Sequence, residues 1–366
     1  MHGSGLIPGS RLLLRAVLAR RARARGDASA YKKNITKVLD LAFSEGSRHR
    51  SIKFGESIGA IGDLEPIIHT QGGFFSCIAI TRSNRRYFTK CILTSGRETL
   101  FWNAWQDGAV RVDGNCYRIV PPISMTSFKD ICILIFPEIE LLDRTRKRKK
   151  RPYRRHLEKV IRSIADFNSD HVDLAEGRFR MSNDCDSLPL PSRTEVRRAL
   201  ATDGNQARQI VRTLRQIEPR WNALRDQVYS CPRCLCHMDF GPGNIVLHRG
   251  VGIIQDFGHV GAAPIGSDLH TVLRYATPSG SGEIDREHLV ATYASVFMEK
   301  GIDVDARSIR LALDAHFAVR YRNLRLPSAR KREAFDAAIE TSLALLDQRI
   351  ALDDQLVSEG ENGAPS

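Results

Sequence analysis

Long apolar stretches are missing from this sequence. Its longest uninterrupted run, Ile131 to Phe136, is far short of the roughly 20 residues that a membrane-spanning helix needs, so the body of the chain reads as soluble. A disulfide framework is missing too. Of eight cysteines, Cys77, Cys91, Cys116 and Cys132 sit singly in apolar segments, while Cys231, Cys234 and Cys236 crowd together. That usage is unlike a small secreted domain and points to a reducing compartment, with the cytoplasm as the expected location. Acidic residues are absent from Met1 to Gly26, which holds Arg11, Arg15, Arg20, Arg21, Arg23 and Arg25 among Leu and Ala. No internal repeat recurs along the chain.

What is present is ordinary in bulk and unusual in charge. At 366 residues, 42% hydrophobic and 27% charged, the chain has the composition of a soluble globular protein of two lobes or domains. A net charge of +13 favours anionic partners such as nucleotides, acidic substrates, nucleic acid or an anionic membrane. The Arg-rich start is open to three readings: a frayed, solvated extension, an organelle-targeting segment, or an amphipathic helix on an anionic membrane surface.

Pattern changes divide the chain into a basic extension with a helix (1–50), a β-rich segment (51–140), a mostly helical segment (141–355) and a disordered tail (356–366). Short runs such as FFSCIAI, RRYFTKCIL, NCYRIV and ICILIFP read as strands, with one helix over GRETLFWNAWQ. Beyond Glu138, HLEKVIRSIADFN and QARQIVRTLRQIEPRWNALRDQV carry apolar residues at helical spacing, as do 288–299 and 309–352. NIVL and VGIIQDF form a strand pair around His248-Arg249-Gly250.

The chemistry concentrates around that pair. His237-Met238-Asp239 is followed by Asn244 directly before the first strand, and Asp256-Phe257-Gly258 closes the second. Phosphoryl transfer needs a carboxylate to orient and deprotonate the attacking hydroxyl, and oxygen ligands for the cation that neutralises the phosphates. Asp239 suits the first task, Asn244 and Asp256 the second, with Mg²⁺ as the metal because it takes one or two protein oxygens beside phosphate and water.

These motifs resemble the aminoglycoside phosphotransferase and choline kinase superfamily, whose catalytic loop reads like HGDLHPGN. The resemblance is sharpest from Leu235 to Leu269, where GHVGAAPIGSDL also looks like that family's G-x-x-P-x-x-D-L. It implies a bilobal, protein-kinase-like α+β fold, with a small β-rich N-lobe and a larger, mostly helical C-lobe. It further implies ATP or GTP as phosphoryl donor, His237 as a support of the loop and Asp268 as its brace. Lys90, in Tyr87-Phe88-Thr89-Lys90, resembles the strand lysine that meets the nucleotide phosphates, and Glu98 its ion-pair partner. Gly72 and Gly73 match the phosphate-covering turn. Met238 stands where the family usually has Gly, and Phe257 where it often has Trp; both departures are expected to change packing rather than ligands.

Three features admit rival readings. Cys231-x-x-Cys234 has metal-ligand spacing, but no second pair accompanies it, and buried cysteines are the expectation. The run RTRKRKKRPYRR (144–155) and the cluster of Arg320, Arg322, Arg325, Arg330, Lys331 and Arg332 read as solvated helix faces, with nucleic acid or an anionic membrane as the alternative partner. The chain as a whole reads as an enzyme that phosphorylates a small hydroxylated molecule, which the positive charge inclines toward an anionic one. A catalytically silent kinase-like binding module and a basic nucleic-acid- or membrane-binding protein are the alternatives.

Overall fold

The computed structural model describes residues 8–43, 51–53, 61–67, 73–81, 84–137, 156–175, 178–179, 226, 228–276 and 285–321. The basic run 144–155, the second basic cluster from Arg322 onward, most of the expected helix over 206–228 and the tail 356–366 lie outside the described residues. The chain divides into two compact units. One comprises 1–149, 243–248 and 253–260; the other comprises 150–242, 249–252 and 261–366.

Along the first unit run α1 (Pro8–Ala24), α2 (Ala28–Phe43), β1 (Ser51–Lys53), β2 (Ile61–Pro66), β3 (Phe75–Thr81), β4 (Arg86–Leu93), α3 (Arg97–Gln106), β5 (Tyr117–Ile119), β6 (Ser124–Ser127) and β7 (Ile131–Pro137). Six strands form one antiparallel sheet in the order β1-β6-β7-β4-β3-β2. An antiparallel sheet with one wet face shows alternating polarity. In β7, by contrast, Ile131 to Ile135 are all buried, which accounts for the unbroken run ICILI. One face meets α1 and α2, whose Leu12, Ala16, Ala19, Ala22, Tyr31, Ile35, Val38 and Leu39 join Phe75, Cys77, Cys91, Ile131, Ile133 and Ile135 in a single core. The other face meets α3, where the Trp102 ring packs edge-on to Phe136 at 5.6 Å between centroids.

The reading of the amino-terminal stretch as a frayed, solvated extension is therefore corrected. Buried positions 12, 16, 19 and 22 recur at steps of four and three, which place them on one stripe of α1. Ala at three of them lets the helix approach closely without a large side chain in the way. Tyr31 ties α2 to the sheet, its hydroxyl donating to the Ser76 carbonyl at 3.3 Å and accepting from the Ser76 N–H at 3.2 Å.

The second unit carries α4 (Leu157–Ser169), then β8 (Arg233–Cys236); the chain continues through β9 (Ile245–His248), β10 (Val251–Ile254), a single 3₁₀ turn (Phe257–His259), β11 (Gly261–Pro264), α5 (Leu269–Ala276), α6 (Arg286–Glu299) and α7 (Ala306–Tyr321). The expected strand pair is β9 and β10, which β5 extends to three strands. β8 pairs antiparallel with β11, Cys236 opposite Gly261 and Cys234 opposite Ala263. Helix α4 buries Val160, Ile161, Ile164 and Phe167 along one face and packs on α6. Lys300 locks that contact, reaching the buried Asp166 carboxylate at 2.5 Å and Asp170 at 2.7 Å. The described chain is thus α+β, with a sheet-rich unit and a mostly helical one. No helix among the described residues is long and apolar enough to cross a membrane.

Candidate active site

In the first unit, β4 presents Lys90 on the α3 side of the sheet. The ammonium group, on a residue only 5% exposed, lies 2.6 Å from Glu98 Oε2 and 2.6 Å from Asp256 Oδ1. Burial alone pulls the Lys90 pKa down, and the two carboxylates, Glu98 first, more than reverse this and leave it raised. Glu98, equally buried, has its pKa raised by desolvation against the opposing pull of Lys90. The lysine is accordingly held as a cation with two counter-charges, one sealed in and one whose side chain is 48% exposed.

Helix α3 fixes both of those partners. Glu98 projects from its first turn, while Phe101 stacks flat on Phe257 with centroids 3.8 Å apart, and Trp102 meets the same ring edge-on. Arg97 adds hydrogen bonds to the carbonyls of His259 and Val260, both 3.4 Å. Asp256 is thus anchored by the residues that follow it. Its own backbone is left-handed at φ 66°, a conformation that costs a non-glycine residue energy and that recurs at functional sites. Asn244 stands just before β9 and accepts the Gln255 N–H on its carbonyl at 2.9 Å, which sets the register of the β9–β10 pair. Asn244 and Asp256 offer hard oxygen donors, and Asp256 is accessible; this donor set fits Mg²⁺, which uses few protein ligands.

Gly73 is described and Gly72 is not. Gly73 has φ +64°, and a Cβ there would stand 2.4 Å from the Cys91 carbonyl oxygen, which also accepts the Phe74 N–H at 2.8 Å. Close approach of β4 by itself demands glycine at this position.

In the second unit the loop after β8 carries His237, Met238 and Asp239. Asp268, fully buried, accepts the His237 N–H at 2.9 Å and the Met238 N–H at 2.6 Å. Its pKa is raised by desolvation, opposed first by the Asn168 side chain, then by neighbouring His237 and the two backbone donors. The Asp239 N–H donates to His237 Nδ1 at 3.2 Å, and the His237 ring stacks on Phe240 at 4.5 Å. Asp268 and His237 thus hold the loop by its backbone.

Two supporting residues had no visible signature in the sequence. Asn168, at the end of α4, donates to Asp268 Oδ2 at 3.0 Å and to the Leu235 carbonyl at 2.8 Å; it accepts the Tyr293 hydroxyl at 2.8 Å. Tyr293 in turn accepts the Gly266 N–H at 3.3 Å. These partners lie 100 and 125 residues apart in the chain, and a lone Asn or a helical Tyr carries no spacing signal. Tyr293→Phe leaves a buried Asn168 oxygen and a buried N–H without that hydroxyl. It is expected to cost about 1–3 kcal/mol and to lower kcat with little change in nucleotide KM, which steady-state kinetics beside a thermal melt will read.

Met238 is the more instructive departure. Its φ is 64°, so the family's usual glycine at this place has a conformational reason, and Met238 departs in backbone energy as well as in packing. The side chain is 1% exposed. Truncating a buried Met costs about 2–5 kcal/mol, whereas relief of a left-handed residue returns roughly 1–2 kcal/mol. Met238→Gly is thus expected to destabilise, yet to be more stable than Met238→Ala by about 1 kcal/mol, the reverse of the usual order; chemical denaturation of both variants checks this.

Cys234 and Cys236 are fully buried in β8, their sulfurs 3.4 Å apart, and among the described residues no group of three or more His, Cys, Asp or Glu side chains is placed to hold a metal. Cys234 and Cys236 are thus core, whereas Cys231, just before β8, is partly exposed.

The first unit thus holds a buried strand lysine clamped by a helix glutamate and by the Asp of an Asp-Phe-Gly turn, and the second a His-x-Asp loop braced by Asp268. Residues 131–303, just under half the chain, match the sequence model of the phosphotransferase enzyme family. Over this segment the chain is similar to that family, in line with the resemblance carried by its motifs. No curated protein matches the sequence. Among solved structures, an amicoumacin kinase bound to AMP-PNP and Ca²⁺ is 13% identical, with 88% of this chain and 95% of that one covered and a TM-score of 0.46. An aminoglycoside phosphotransferase from Alicyclobacillus acidocaldarius is 15% identical, covering 84% and 99%, TM-score 0.46. The choline kinase LicA from Streptococcus pneumoniae is 13% identical, covering 78% and 94%, TM-score 0.42.

Proposed function

We propose that this chain transfers the γ-phosphoryl group of ATP or GTP to a hydroxyl of a small molecule. The observation that supports this most directly is the clamp on Lys90: a buried ammonium with one buried and one accessible carboxylate partner. Such a lysine is positioned to take phosphate oxygens in place of Asp256, while Glu98 keeps it charged. Asn244 and Asp256 would hold Mg²⁺, which supplies neutralisation of the phosphate charge. Asp239 would align the acceptor hydroxyl and take its proton, and the Asp268 brace keeps that loop from drifting. Catalysis on this reading is mainly positioning and charge stabilisation. The net charge of +13 disfavours a polycationic acceptor and favours a neutral or anionic hydroxylated one.

The test is in two stages. ATP or GTP is expected to raise the melting temperature in a Mg²⁺-dependent way, the stabilisation reaching about 2.7 kcal/mol at 100 times Kd. A coupled assay of nucleoside diphosphate release across hydroxylated metabolites then identifies the acceptor. Absence of any metal-dependent nucleotide shift would overturn the reading; binding without transfer to any acceptor would make the chain a silent module.

A further inference from the structure

Helix α1 carries more charge than its packing uses. Leu12, Ala16, Ala19 and Ala22 face the core, and the rest of the helix and the turn after it present Arg11, Arg15, Arg20, Arg21 and Arg25 with no acidic residue from Met1 to Gly26. Arg23 lies beside the Tyr31 hydroxyl. The other five form no ion pair or side-chain hydrogen bond among the described residues. On α2, Lys32 pairs with Asp63 at 2.9 Å, while Lys33 and Lys37 have no ion-pair partner among the described residues. Like charges concentrated in this way repel one another, and an anionic surface relieves the repulsion.

The kind of anion follows from what accompanies the arginines. From Arg11 to Arg25 the only residue types are Arg, Leu, Ala and Val. No hydroxyl, amide or aromatic ring is available to read or stack on bases. Arg11, Leu14, Leu18, Arg21 and Arg25 succeed one another at steps of three and four and so share one side of the helix. Within that side Leu14 is 52% exposed, one of three large hydrophobic residues so exposed among those described. Guanidinium groups flanking an exposed leucine suit a bilayer boundary, where the cations meet headgroup phosphates and the apolar side chain enters beneath them.

We propose that the outer side of α1 docks the protein on an anionic lipid bilayer through Arg11, Arg21, Arg25 and Leu14. Because the opposite stripe of α1 is part of the sheet's core, the helix stays folded on its unit and the contact is peripheral. The proposal stands apart from the phosphotransferase reading and survives its failure.

Sedimentation of the full-length protein with phosphatidylcholine vesicles, with and without phosphatidylserine, tests it. Binding is expected only with phosphatidylserine, weakening as salt shortens the screening length. Arg11→Gln, Arg21→Gln and Arg25→Gln should each weaken it roughly fivefold, the three corresponding Lys substitutions should retain it, and Leu14→Gln should weaken it with the charge unchanged. The melting temperature of every variant should match that of the wild type, because none of these side chains belongs to the core. Vesicle binding indifferent to phosphatidylserine, no binding, or a triple Gln variant that binds like wild type would overturn the proposal. So would salt-sensitive binding of duplex RNA that Leu14→Gln leaves intact while vesicles are ignored.

Discussion

Asp239→Asn is expected to give a folded, nucleotide-binding protein whose phosphoryl transfer falls about 10²–10⁴-fold, the contribution of a positioned general base. The asparagine keeps the size of the side chain and cannot accept the proton. The loop itself should survive, because its anchors are the His237 and Met238 N–H groups on Asp268 and the Asp239 N–H on His237 Nδ1, none of which uses the Asp239 carboxylate. Melting temperature and nucleotide affinity should therefore match wild type while kcat collapses. A variant retaining transfer within about threefold of wild type would remove Asp239 from the proposed chemistry. Asn168→Ala provides the contrast: it deletes the largest contribution opposing the raised pKa of Asp268, so the loss of activity on acidification should move to higher pH with Asp239 untouched.

Lys90→Met is expected to destabilise the protein by about 3–5 kcal/mol, the cost of leaving one member of a buried ion pair behind. Glu98 is only 4% exposed, and without the ammonium it must either stay charged and desolvated or bind a proton. Its pKa, already above the ordinary 4.5 through burial, would rise further when the opposing pull of Lys90 is lost. The native state of the variant then holds a proton that the unfolded chain releases, so its stability is fully present below the unfolded value and is lost as pH rises through the folded one. Urea unfolding at mildly acidic and neutral pH should show the variant falling away from wild type toward neutrality. The double variant Lys90→Met with Glu98→Leu should recover most of the loss, since two apolar groups need no counter-charge. A single variant that loses less than about 1 kcal/mol at neutral pH would contradict the buried clamp.

The sequence and the structure divided the labour according to the range of the interaction. Periodicity is local: the alternation in FFSCIAI and the three-and-four spacing in HLEKVIRSIADFN placed β3 and α4 within a few residues of where they lie. The lysine–glutamate pairing was also legible, because eight residues separate Lys90 from Glu98 and the strand-to-helix turn between them is short. Less visible was that Asp256 joins them from 166 residues away. The solvated reading of the amino-terminal stretch fails at α1 for a definable reason. Its buried stripe is mostly alanine, which composition scores as neutral, while Arg11, Arg20 and Arg21, which contribute much of its charge, are exposed.

By itself, then, the amino-acid order determined the candidate site side chains, their order and the strands and helices that carry them, because motif chemistry and helical or strand periods are written over a dozen residues or fewer. Only tertiary packing decided that α1 and α2 complete a core, that Met238 and Asp256 take left-handed backbones, and that Asn168 and Tyr293 support the loop of Asp239. Those outcomes rest on buried contacts between distant parts of the chain, where desolvation makes each polar group find a partner, and no short stretch of sequence encodes which partner that is.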